Sequence, residues 1–327
     1  MRLSFPLLCF CCCFILICCK GPQQSETPVI AIDIPVFDAQ PALKIPALLG
    51  EGAFWDYRNN WLFWVDIEGK QVNMYDPLTG QNRAIPVPSR VGTVVPQTDS
   101  TAVVALEDGV YLLNLIKEEL SLISDVEADI PTNRFNDGKV DPLGNLWVGS
   151  MRLDESAPTA ALYRVDYKGT TTKMLTGITI SNGIVWSADK RTMYYIDTPT
   201  GKIRAFDFDP DKAAISNERT VVDVAPELGY PDGMTIDEND HLWVALWNGN
   251  AVACFDPDSG ELIGKIAVPA HNVTSCAFGG PNLDLLYITT ASIDMTPQEI
   301  DNYPMAGSVF VVSPGVKGVK GTFFGGP

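Results

Sequence analysis

Residues 230–252 read YPDGMTIDENDHLWVALWNGNAV, and they hold the unit from which most of the chain is built. The stretch opens with an acid directly before a glycine, Asp232-Gly233, followed by a short apolar segment. A polar Asp-Glu-Asn-Asp run then makes a turn, and residues 242–245 resume as an apolar strand. Runs of the same kind occur at 61–65, 102–106, 146–149, 193–196 and 285–289. Successive runs begin roughly 40 to 50 residues apart, the period of a four-stranded propeller blade. The second half of the unit also recurs, as NMYDP at 73–77, ALYRVD at 161–166, IRAFD at 203–207 and VACFDP at 252–257. Each alternates as a strand does and ends in Asp or Pro turn chemistry. No amphipathic helix of normal length is evident; residues 115–122 have helical composition but fall where a hairpin is due. The expected fold is all-β: a six-bladed β-propeller of four-stranded antiparallel blades around a central channel. A β-sandwich with coincidental spacing is the alternative.

Outward from the repeats, the chain divides into three parts. Residues 1–19 follow Arg2 with an almost wholly apolar run and read as a signal peptide, with six of the eight cysteines inside it. Cys19 is a candidate for lipid modification, as in a lipoprotein leader; simple cleavage and an uncleaved anchor are the alternatives. The expectation is an exported protein that is periplasmic, membrane-anchored or secreted, touching a membrane only through this leader. Residues 20–46 form a Pro-rich linker leading into an edge strand, and residues 47–327 form the propeller. Of the two cysteines left, Cys254 and Cys276, each lies in an apolar run, so burial as small hydrophobes competes with a disulfide.

Composition excludes several functions. Forty acids against 23 bases leave a net charge of −17, which argues against binding a nucleic-acid backbone. Only His241 and His271 exist, both in polar, turn-like settings that suggest the surface. A metal held by several histidines is thereby excluded, and a Ser–His–Asp triad is disfavoured. No Gly-x-Ser-x-Gly elbow, phosphate-cradling loop or Cys-x-x-Cys pair is present.

What remains is a set of polar residues placed in register. Glu51-Gly52, Asn136-Asp137-Gly138, Asn182-Gly183 and Asp232-Gly233 each stand about ten residues ahead of their repeat's strand run. The second and sixth repeats carry Val91-Gly92 and Ser275-Cys276 there. The first strand of a blade lines the channel, so four of the six repeats aim an oxygen-bearing side chain at one region. Carboxylates crowded on one axis repel unless a cation lies between them, and such a shell suits a hard divalent ion. Taken singly, each pair could be a simple turn.

At these residues the sequence resembles the gluconolactonase family, which includes regucalcin (the senescence marker protein) and the luciferin-regenerating enzymes. The resemblance rests on LGEGAFWDYRNNWLFWVDIEGKQV, RFNDGKVDPLGNLWVGSM, SNGIVWSADKRTMYYIDT, YPDGMTIDENDHLWVALWNGNAV and TSCAFGGPNLDLLYITTA, in that order from residue 49 to about 291. It implies one metal, calcium first with zinc, magnesium or manganese as alternatives, held by Glu51, Asn182 and Asp232. Arg134 and Asn136 would contact substrate, and a further acidic contact falls at Asp154 or Glu155, in a stretch, RLDES, that departs from the family pattern. The implied reaction opens a small lactone, a sugar lactone foremost, by a metal-polarised carbonyl and metal-activated water, with Asp232 taking the proton and Asn136 and Arg134 steadying the oxyanion. A non-catalytic binding propeller and a hydrolase of another lactone or ester are the competing readings.

Overall fold

The computed structural model describes residues 34–326, so the leader reading lies outside the described residues. Twenty-five strands there make six sheets, which confirms the six-bladed propeller. The blades span 50–86, 91–124, 133–178, 181–223, 230–267 and 272–312. First strands of consecutive blades touch one another from first to sixth and back to the first, closing a ring around the axis.

Within the 20–46 segment, the described residues, 34–46, do more than lead in. Gln40–Leu43 pairs antiparallel with Val309–Val312 as the outermost strand of the sixth blade. Val36–Asp38 adds a fifth, parallel strand to the fifth blade. The ring is thus locked by strands from both ends of the described chain, which leaves no blade short of a partner.

The repeat chemistry works as its composition suggests. Apolar residues of the strand runs, among them Leu62, Val104, Val148, Ile196, Val244 and Ile288, are fully buried between blades. Asp76, Asp166 and Asp256 each accept a backbone N–H from the residue two positions on, at 2.8–3.0 Å, and so fold the outer hairpins. One expected turn lies elsewhere: the strand at 203 runs on to Asp209, whose carboxylate makes the turn with Asp211, while Asp207 sits mid-strand and holds Arg219. The alternation in FDFD lets the strand continue past the first Asp. Residues 115–122 form a hairpin, joining strands Gly109–Asn114 and Glu119–Ser124. The sole described α-helix, Pro297–Asn302, is six residues long and capped by Thr296 and Glu299.

Candidate functional site

Every innermost strand breaks its pairing register at the same level. The breaks fall at 51–54, 91–93, 135–138, 182–184, 231–234 and 273–275. A bulge inserts a residue and re-aims its side chain, so the polar-Gly pairs leave the alternation of their strands here. Glycine serves two needs at these points. Gly52 has a left-handed φ of 61°, and a Cβ on Gly233 would lie 2.8 Å from the Thr274 carbonyl of the next blade.

Four blades bring their polar residues together. Glu51, Asn136, Asp137, Asn182 and Asp232 are all at most 6% exposed. The Asn136 amide donates to Asn182 Oδ1 at 2.9 Å and to the Ser181 carbonyl at 2.8 Å, which ties the third blade to the fourth. Asn182 Nδ2 donates to Thr198 Oγ1, whose hydroxyl in turn donates to the Pro231 carbonyl, tying the fourth blade to the fifth. Both Asn136 amide protons are spent, and both Asn182 amide and Asn136 carbonyl orientations are thereby fixed. Arg134 Nη1 donates to Asn136 Oδ1 at 2.6 Å and to the Phe135 carbonyl. Its Nε and Nη2 bond to no described residue, and Arg134 as a whole is only 8% exposed.

The carboxyls of Glu51 and Asp232 lie within hydrogen-bonding reach of each other. Burial pushes Glu51 up to about 8, with the nearby Asp137 adding to the rise. Asp232 is raised well above the carboxylate range by burial first, then by Glu51 and Asp137. Asp137 is raised by burial as well. Asp232 Oδ1 is buried with no hydrogen-bond partner. Two buried carboxyls within reach of each other, Glu51 and the partly orphaned Asp232, offer hard oxygen donors of the kind that suits a divalent cation, while Asp137 acts on both through its charge. Nearby positive charge comes from Arg134 and Lys139, both lowered chiefly by burial.

The remaining expected residues stand further out. Asp154 is exposed and engaged in a bidentate pair with Arg152 at 2.7 Å and in bonds to Ser156. Glu155 lies close enough to act on the charge of Arg134. Two participants at this mouth have no motif to announce them: Arg90 bridges Glu68 at 2.7 Å and Glu107 at 2.8 Å, and Glu68 is the strongest charge acting on Arg134.

A second cluster carries potential ligands, Asp237, His241 and Cys254, with atoms within 4.8 Å of one another. Its carboxylate is already occupied. Oδ1 accepts the N–H groups of Asn239 and His241, while Oδ2 accepts Trp243 Nε1 at 3.0 Å and lies 3.2 Å from His241 Nδ1. The third blade repeats the device without histidine or thiol: Asp141 holds Leu143, Asn145 and Trp147 Nε1 at 2.8–3.0 Å. Both are latches that close a hairpin onto the following tryptophan. Cys254 and Cys276 are free and buried on either side of Trp243, with the Cys276 thiol donating to the Trp243 carbonyl. Neither histidine is a free surface group: His241 is partly buried on Asp237, and His271 lies 3.1 Å from Glu299 and stacks on Tyr303.

Fold and site together define a six-bladed propeller with buried oxygen donors gathered on its axis. Residues 49–292 match the profile described as the SMP-30/Gluconolactonase/LRE-like region, and the chain belongs to that family. A Bacillus subtilis (strain 168) protein named as a sugar lactone lactonase, YvrE, is 40% identical over 264 residues, covering 81% of this chain and 90% of that one. The crystal structure of a calcium-binding regucalcin from Agrobacterium tumefaciens strain C58 superposes with a TM-score of 0.85 at 29% identity, over 89% of this chain and 99% of that chain. A luciferin-regenerating enzyme superposes with a TM-score of 0.82 at 34% identity, over 88% and 98%.

Proposed function

We propose that this chain is a divalent-metal-dependent lactonase that opens a small lactone, foremost a sugar lactone. The observation that carries the reading is the buried, unpartnered Asp232 oxygen on a carboxyl within reach of Glu51. Membership of the family and the likeness to a protein named as a sugar lactone lactonase support it. Glu51, Asn182 and Asp232 would hold the ion, calcium first in view of the calcium-binding regucalcin structure. A divalent ion held there supplies Lewis acidity toward a carbonyl oxygen and makes a neighbouring water more acidic.

The chain's own groups do the rest. Asp232 is the general base, because its Oδ1 has no competing donor. Asn136 holds the Asn182 carbonyl and the Arg134 guanidinium in fixed positions, and so acts by orientation. The open Nε and Nη2 of Arg134 face substrate and stabilise charge developing on the lactone oxygen. Glu155 and Asp154 form the wall where ring hydroxyls would be read. Residues 1–19 would direct export, and mass spectrometry of the mature N-terminus checks both cleavage and lipidation at Cys19.

The test is elemental analysis of purified protein together with a panel of five- and six-carbon lactones, with and without chelator. Metal-dependent turnover is expected, and Asp232→Ala should lose metal and activity together. Bound metal with no turnover of any lactone would refute hydrolysis in favour of a binding platform.

A further inference from the structure

The channel has a second mouth, at the far ends of the inner strands, whose lining shares only Lys139 with the chemistry described above. Its walls are Trp55 and Phe54 from the first blade, Val185 and Trp186 from the fourth, and Phe278 from the sixth. One side is closed by Val319–Thr322, part of a C-terminal strap. That strap is anchored on the fifth and sixth blades by Lys317 and Gly318 and on the second and third by Phe324 and Gly325.

Three features of this mouth agree. First, it is cationic: Lys139, Lys190 and Lys320 line it and no acid does, in a chain whose net charge is −17. Lys139 donates to the Met234 carbonyl at 2.9 Å, Lys320 lies over the Tyr57 ring at 4.8 Å, and the side chain of Lys190 is exposed. Of the acids near the rim, Asp240 accepts the backbone N–H of Ala188, and Asp189 accepts the Ser187 hydroxyl and the Arg191 N–H. Second, Trp55 and Trp186 are 5% and 8% exposed, yet the indole N–H of each is buried with no partner. The buried tryptophans on second strands, Trp64, Trp147 and Trp243, each have a side-chain acceptor for that bond. Third, the wall between these donors is aromatic and aliphatic.

We propose that the far mouth is a second ligand site, for a small organic anion: a carboxylate carried on an aromatic or apolar body. A cation is opposed by three ammonium groups, and a neutral apolar guest would leave them without a counter-charge. A carboxylate answers the lysines, and its body covers the aromatic wall.

Benzoate is the probe, titrated into the metal-loaded protein by calorimetry and followed through the indole N–H signals in a ¹H–¹⁵N spectrum. Saturable binding is expected, moving the signals that Trp55→Phe and Trp186→Phe remove. Benzamide, the neutral isostere, should bind about tenfold more weakly, as should benzoate to Lys139→Met. Should Lys139→Met misfold, the double variant Lys190→Gln/Lys320→Gln keeps the buried lysine and should still weaken benzoate. Absence of saturable binding, or equal affinity for benzoate and benzamide, overturns the proposal. So does binding that survives both tryptophan variants and disappears in Asp232→Asn, which would place the anion at the other mouth.

Discussion

Raising the pH in the presence of a chelator should destabilise this protein through buried carboxyls, Glu51 foremost. Without a cation, Glu51 is raised from its usual 4.5 to about 8, because folding buries it beside Asp232 and Asp137. The folded form then keeps a proton that the unfolded chain has released, so stability is fully present below about pH 4.5 and is lost as the pH rises through about 8. A rise of that size corresponds to about 5 kcal/mol, a large fraction of a domain's total stability. The assay is urea unfolding in chelator at steps from about pH 5 to about pH 9. Wild type should lose stability steeply over that range. Glu51→Gln should show a less steep profile, the remaining slope being that of buried Asp232 and Asp137, and calcium-saturated wild type should be flatter as well. Parallel profiles for chelated wild type and Glu51→Gln would refute the reasoning.

Arg134→Lys should lower kcat/KM on a turned-over lactone by about a hundredfold, because the planar fork that reaches both Asn136 and substrate is lost. Its urea midpoint should stay near that of wild type, which separates chemistry from folding. Asp141→Ala and Asp237→Ala should each cost about 3 kcal/mol in urea unfolding, since each orphans a buried tryptophan N–H and two backbone donors. Neither should change the metal content of purified protein; loss of metal from Asp237→Ala alone would make that cluster a ligand set after all. Removal of residues 34–43 should abolish cooperative unfolding, checked by the same titration, because the sixth blade loses its outer strand.

The blade count was legible because each blade repeats one hydrophobic pattern, and Glu51, Asn182 and Asp232 stood out because each precedes a glycine at the same phase. What places them together was not legible. The register breaks at 51–54, 182–184 and 231–234 depend on pairing between strands, and no residue pattern within one strand announces them. The same limit hid Arg90 and Glu68, which meet Arg134 only through the ring. The glycines answer two different needs, positive φ at Gly52 and close approach of the next blade at Gly233, which the shared motif does not distinguish. Residues 36–43 read as linker because Pro and exposed positions break their alternation, a pattern natural to strands at a sheet's outer edge. The bidentate hold of Arg152 on Asp154 was not legible either, because two residues apart in sequence says nothing of how the side chains turn.

The pairing of Gln40 with Val311 has a consequence for how the molecule is born. A ribosome releases the first of these strands long before its mate exists, so the nascent chain must carry an unfinished circle through almost all of synthesis. Contacts so remote in sequence form slowly. An ion gripped by the first, fourth and fifth blades would bind only the completed circle, and would hold shut from within a clasp that the two ends fasten from without.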